Sequence, residues 1–209
     1  MKPPRKPRGR PRSFDRESAL AAAMEVFWEK GFEGASVAEL CSAMELNPPS
    51  LYSAFGDKEK LFLEAVERYS NRNRESCPYC DEPTARGAVE KLLVYSANEL
   101  TASSHPRGCL MMMAATTSAN CSEALQEMIA HKRSAARDNL RSRIKRGIEE
   151  GDVPADADVS GLTDFYFTIL TGMALQAREG ASRKSLLATV ERAMSIFPRV
   201  QKKKLLAAA

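Results

Sequence analysis

Apolar residues recur along this chain at intervals of three and four, the spacing that gathers them on one face of a helix. Val37, Leu40 and Met44 form the first short stripe, and Leu51 and Phe55, four apart, form the next. Beyond residue 69 no stretch alternates apolar and polar in the manner of a strand. Val89, Leu92, Leu93 and Leu100 share one face of a helix opening near Pro83 and Thr84. A shorter helix follows His105-Pro106-Arg107-Gly108 and runs through Cys109 and Met113 to about Ser118. Ser122 caps a long helix reaching Glu150, with Leu125, Met128 and Ile129 early and Leu140, Ile144 and Ile148 late. Asp156 or Asp158 opens another, carrying Leu162, Phe165, Tyr166, Ile169, Leu170, Met173 and Ala174. Ser182 caps the last, with Leu186, Leu187, Val190, Met194 and Phe197. The pattern predicts an all-α protein of about nine helices: a small N-terminal unit followed by a larger helical one.

The segment 36–62 carries the most specific chemistry. Ser36 with Glu39 three residues on is a capping box. Glu45-Leu46-Asn47 supplies a turn, and Pro48-Pro49 suit a helix start, where a missing backbone donor costs little. If Leu51 and Phe55 anchor this helix, then Asn47, Pro48, Ser50, Tyr52 and Ser53 are left at its outer side. Small polar groups outside and apolar anchors inside suit a helix that lies in a DNA major groove. Residues 1–16 reinforce this reading, with seven basic residues against the single acid Asp15 in a chain of net charge +4. Within them Pro7-Arg8-Gly9-Arg10-Pro11-Arg12 resembles an AT-hook core, in which Arg8, Arg10 and Arg12 would enter a narrow minor groove.

Taken together, residues 15–69 resemble the DNA-binding domain of TetR-type bacterial transcriptional regulators. The likeness is carried by Trp28-Glu29-Lys30-Gly31-Phe32 at the end of an Ala/Phe-rich first helix, the Ser36 capping box, Leu51-Tyr52-Ser53-Ala54-Phe55 and Asp57-Lys58-Glu59-Lys60-Leu61. It implies phosphate contacts from Ser36, Tyr52 and Lys58 and base reading by Ser50 and its neighbours. The chain departs from the family at Pro48-Pro49, where many members carry a basic residue or glycine, and at Ser53 or Ala54, where a histidine is frequent. That departure implies sparse base-edge readout, with the arginine arm and DNA shape contributing more.

The resemblance further implies a homodimer on a palindromic operator, its recognition helices roughly 34–36 Å apart. The residues agree, because the helix from Asp158 to Glu179 also carries Val159, Phe167, Thr171 and Leu175 and is therefore apolar nearly all round. These four, with Leu187, Val190 and Met194 of the last helix, are the expected dimer interface. The second domain of such regulators holds a small effector. Met111-Met112-Met113, Phe165, Tyr166, Ile169 and Met173 offer apolar walls, and Asn98, Thr116, Thr117 and Gln176 offer polar groups. For each, ordinary core packing is the competing role. The expected organisation is a flexible basic arm (1–14), a helix-turn-helix domain (15–57), a connecting helix (58–74), an effector and dimerisation domain (75–199) and a disordered tail (200–209). The leucine–alanine end of that tail resembles a cloning remnant.

Composition adds limits. The chain is 44% hydrophobic and 28% charged, with no apolar run long enough to cross a bilayer and no signal-peptide core after its basic start, so a cytoplasmic location is expected. Five cysteines in irregular positions suit a reducing compartment. Cys77-Pro78-Tyr79-Cys80 has the spacing of a redox dithiol but lacks the strand–helix setting of a disulfide exchanger. The pair is an ordinary loop, a redox or electrophile sensor, or half of a metal site, and these readings stay open. No cofactor and no enzymatic activity are expected, since the two histidines, His105 and His131, accompany no nucleophile elbow, phosphate loop or metalloprotease pair. A non-switching binder of A/T-rich DNA is the alternative of a different class.

Overall fold

The computed structural model describes residues 14–75, 81–117 and 122–200, and for 73–75 and 115–117 the backbone alone. Among the described residues the chain forms nine helices and no strand. They are α1 (Arg16–Gly34), α2 (Val37–Ala43), α3 (Pro48–Phe55), α4 (Lys58–Glu75) and α5 (Ala85–Glu99). There follow α6 (Leu110–Thr117), α7 (Glu123–Glu149), α8 (Val159–Arg178) and α9 (Arg183–Ser195). Most helix starts are fixed by a side chain within four residues. Asp15, Ser36, Asn47, Thr84, Ser122, Asp158 and Ser182 each accept from a backbone N–H of the helix they open. Such a bond satisfies one donor that the first helical turn leaves without a partner.

Two groups of buried side chains hold the chain together. The first gathers the inner faces of α1–α4 around Phe27, Phe32 and Phe62, and takes in Leu110, Ala114, Leu125 and Ile129 from α6 and the start of α7. Phe62 packs edge-on against Phe27 with ring centres 4.9 Å apart, and Phe32 lies 5.2 Å from Phe62. Phe32 reaches this position because α1 breaks at Gly31, whose φ of 71° and ψ of 177° open the helix at a conformation that other residues resist. The second group joins α5, the far half of α7, α8 and α9 around Leu93, Ile144, Tyr166, Met173 and Leu186. Cys109, just before α6, packs against both groups.

Between the two groups lies a junction of long-range bonds. Trp28 Nε1 donates to the Gly108 carbonyl at 3.2 Å, and the His105 ring stacks on the indole at 4.4 Å. Ser122, the cap of α7, donates to the Glu59 carboxylate of α4 through its N–H at 3.0 Å and its hydroxyl at 2.6 Å. Lys132 of α7 also pairs with Glu67 of α4. The connecting helix α4 is thereby fastened to the second unit along its length.

Candidate nucleic-acid interface

The helix-turn-helix is built as its residues require. Leu40, Cys41 and Met44 of the first short helix and Leu51 and Phe55 of the second are buried, which fixes the pair from beneath. The turn between them passes through Glu45, which takes a left-handed φ of 54°. Asn47 accepts from the Ser50 N–H at 2.9 Å, so its side-chain oxygen is occupied as the cap of α3. Asn47, Pro48 and Ser53 are exposed, Ser50 is half-buried, and the Tyr52 ring is 47% exposed. These residues therefore stand together on one outer surface. Gly56 ends α3 at φ 84°, and Asp57 caps α4 by accepting from the Lys60 N–H at 2.8 Å. That backbone bond, with the Lys60 side chain, holds the Asp57 carboxyl below the usual carboxylate range.

Ser36 is more committed than the family resemblance implies. Its hydroxyl donates to Glu39 at 2.8 Å and accepts from the Glu39 N–H at 3.2 Å, and its own N–H donates to the same carboxylate at 3.0 Å. Lys30 also donates to Glu39. With Lys30 and both Ser36 donors upon it, the Glu39 carboxyl is held down at about 2. The carboxylate thus occupies the donors that a phosphate would use, and a Ser36–phosphate contact has to displace it. Lys58 rests its ammonium 4.5 Å above the Phe32 ring, a cation–π contact that orients it beside the end of α3.

Arg16 is a residue that sequence reasoning placed only within the basic arm. Its guanidinium lies 4.4 Å over the Phe55 ring and donates to Glu64 at 2.7 Å and to the Ala54 carbonyl at 3.4 Å. It pins the start of α1 to the end of α3 and to α4. Position alone gives the only clue, since it follows the cap Asp15 directly. Arg8, Arg10, Arg12, Cys77 and Cys80 lie outside the described residues, as does the side chain of Thr116.

The described effector candidates are spread over the second buried group and the surface around it. Tyr166 is fully buried, donates to the Ala193 carbonyl at 3.0 Å and has its phenol pushed up to about 12, chiefly by burial. Met173 is buried in the same core. Both pack between α8 and its neighbours. Phe165 packs edge-on against Tyr166 at 5.0 Å, while Met112 and Ile169 are half-buried against the same group. Asn98 accepts from Arg183 Nε at 2.6 Å, and Gln176 is exposed. One cleft lies at Trp28, bounded by Tyr69, Arg72, Glu99, Leu100, His105 and Gly108, and an open groove runs between α1 and α4 past Arg16, Leu20, Met24 and Glu64. None of the expected effector residues borders either.

The expected dimer face also divides. Val190 and Met194 are buried within the chain, because α9 lays this stripe against α5 and α8. On α8, Leu175 is 54% exposed, and Val159, Phe167 and Thr171 are half-buried. Leu187 is half-buried on α9, and Ile196 just beyond it is 59% exposed. The outward apolar surface therefore belongs mainly to α8 and the end of α9.

Two family profiles account for most of the chain. "Bacterial regulatory proteins, tetR family" matches residues 19–65, and "Tetracyclin repressor-like, C-terminal domain" matches residues 88–194. The chain belongs to the TetR family. It is 32% identical to the HTH-type transcriptional repressor ComR of Escherichia coli K12 over 95% of its length and 96% of ComR. It is also 32% identical to the repressor BdcR of the same strain, over 87% of this chain and 88% of BdcR. Among solved structures, the TetR family regulator CifR, as a cysteine variant complexed with 26-base-pair operator DNA, superposes with a TM-score of 0.85. It shares 45% identity, covering 90% of this chain and all of that one. As a TetR-family member the protein is a DNA-binding transcriptional regulator, and its helix-turn-helix lies within the first matched segment. Among the described residues no helix is long and apolar enough to cross a membrane, and no three His, Cys, Asp or Glu residues are grouped to hold a metal ion.

Proposed function

We propose that the protein is a cytoplasmic repressor that binds a palindromic operator as a homodimer and is released by a small apolar or amphipathic effector. The observation that carries the reading is α3, with Leu51 and Phe55 buried beneath it and Asn47, Ser50, Tyr52 and Ser53 gathered on its outer side. The repressors ComR and BdcR and the operator complex of CifR support it. So does the exposed apolar edge of α8, since two half-sites need two copies of the recognition helix. Operator selection from randomised DNA, followed by footprinting at fixed salt, tests it. The expected result is one symmetric, discrete footprint. A diffuse A/T-rich preference without symmetry would leave the architectural alternative. Replacing Leu175 by Glu is expected to give a monomer and to weaken operator binding. Tyr52→Ala is expected to weaken binding to most sequences, and Arg10→Ala to lower the salt slope by about one.

A thiol-responsive reading has a specific observation behind it. Cys109 lies at the start of α6, where both buried groups meet, and its sulfur accepts from the Tyr69 hydroxyl at 3.3 Å. A modification there would reach the DNA-binding core and the second unit together. CifR was solved on operator DNA with cysteines replaced. If a mild oxidant weakens operator binding of the wild type but not of Cys109→Ser, the effector includes an oxidant. The Cys77/Cys80 form of this reading is tested by the corresponding serine pair.

A further inference from the structure

We propose that Arg178 sets the spacing between half-sites, by fixing the helix-turn-helix at a defined position on the helix that faces the second copy. The proposal rests on the dimeric reading above. Its starting point is the break in α1. Gly31 takes a non-helical φ and ψ there, and the chain turns out of the regular helix. The carbonyls of Trp28 and Glu29, just before the break, accept from Arg178, the last residue of α8. Its Nη1 donates to the Trp28 carbonyl at 3.2 Å, its Nη2 donates to the Glu29 carbonyl, and Nη1 stands 3.7 Å from the Glu29 carboxylate. A guanidinium suits this task because its planar fork presents parallel donors on a fixed frame.

The bonds continue on both sides of that clamp. Toward the DNA, the next residue of α1 is Lys30, which donates to Glu39, and Glu39 holds the N–H and hydroxyl of Ser36 at the start of the helix-turn-helix. Toward the second copy, Leu175 lies one turn back along α8 with more than half its surface exposed, and Phe167 and Thr171 follow on the same helix. The loop before α6 supports the geometry. Arg107 Nε donates to the Ala177 carbonyl at 2.9 Å, and its Nη2 donates to the Ala181 carbonyl, which closes the end of α8. Gly108 lets this loop approach, since a Cβ there would stand 3.1 Å from the Ala174 carbonyl and 3.4 Å from Arg178 Cβ, at a φ of +85°. A shift of α8 at a two-fold interface therefore reaches the reading head through a short run of charge-assisted bonds, independently of the Glu59–Ser122 link between α4 and α7.

The experiment uses the full chain, the operator selected above, and versions of that operator with the half-sites moved one base pair closer or farther apart. Arg178→Met and Arg178→Lys are compared with wild type, and sedimentation confirms that each remains dimeric. Wild type should prefer its selected spacing by about tenfold or more, a discrimination within the usual range for coupled sites. Arg178→Met should flatten that preference to about twofold while its affinity for a single half-site stays unchanged, and Arg178→Lys should fall between, because one ammonium cannot reproduce the fork. Arg178→Met that keeps the full preference overturns the proposal. So does a loss of affinity equal at every spacing and at the single half-site, which marks Arg178 as a stabilising residue only. If wild type itself shows no spacing preference, the dimeric reading fails first and the proposal falls with it.

Discussion

The recognition segment from Ser36 to Lys58 and the pair α8–α9 are both helical runs with apolar anchors, yet they are held in different ways. In the first, the helix starts are closed by bonds within four residues, Ser36 with Glu39, Asn47 with Ser50 and Asp57 with Lys60, and Lys30 and Arg16 add ties to α1. In the second, the deciding bonds cross between helices. Tyr166 reaches the Ala193 carbonyl, Arg86 of α5 reaches the Met194 carbonyl at 2.8 Å, and Arg178 reaches back to α1. Local closure yields a unit whose outer residues are free to be chosen for DNA. Closure at a distance yields a unit whose position depends on its neighbours.

The largest test of this contrast is Leu51→Ala. The side chain is 1% exposed and is one of two that fix α3 from beneath, so its loss should cost about 2–5 kcal/mol and show as a lower urea midpoint. Operator affinity should fall together with stability, because Arg16 touches only the end of α3, at the Phe55 ring and the Ala54 carbonyl, and the buried anchors hold the rest. If affinity survives while stability falls by that amount, the recognition helix is positioned by something other than its anchors.

Tyr166→Phe probes the other region. The α9 ladder tightens at its end, where the Phe197 N–H donates to the Met194 carbonyl, so the Ala193 carbonyl depends on the Tyr166 hydroxyl. Removing that donor leaves a buried acceptor without its partner, at a cost of about 1–3 kcal/mol. The expected pattern is a stability loss in urea with half-site affinity unchanged. An equal loss of half-site binding would mean that the two regions are not separable.

The helices and their starts were legible because they are local: a capping residue and an apolar stripe are both visible within a few positions. The outer side of α3 was legible for the same reason. What surrounds α8 and α9 was not. Periodicity marked Val190 and Met194 as one apolar face, but a face turned toward α5 and one turned toward a second copy have the same pattern. Tyr166 and Met173 likewise read as pocket walls or core, and only the neighbouring helices show how deeply they are buried. Arg16 and Arg178 escaped notice because each makes its bonds far along the chain, and apart from Asp15 beside Arg16 nothing near them marks either as more than a solvated cation.

Ser36→Ala is the next step down. It removes the hydroxyl half of the capping box, and helix-cap losses of this kind amount to about 1 kcal/mol. Operator binding separates two roles. If the hydroxyl contacts phosphate, affinity falls at every sequence tested and the salt slope stays the same, because a neutral contact releases no counterion. If its role is only to hold Glu39, affinity follows stability alone.

The smallest expected effect is also the most diagnostic of local closure, and it concerns pH. The Glu39 carboxyl is lowered from 4.5 to about 2 by Lys30 and the two Ser36 donors. A carboxyl depressed by folding binds a proton more readily in the unfolded chain. Its stabilising contribution is therefore complete above about 4.5 and is lost as pH falls from there toward about 2. Lys30 and Glu39 are each more than 40% exposed, so salt screens the ion pair and the contribution is small. Urea midpoints measured between pH 5 and 2.5 should fall less steeply in Glu39→Gln than in wild type. The difference should shrink in high salt to what the two Ser36 bonds supply. In Tyr166→Phe the acid slope should match wild type, because nothing in α8–α9 touches this carboxylate. A parallel change in that variant would show that the acid response is global and that the recognition segment does not close upon itself.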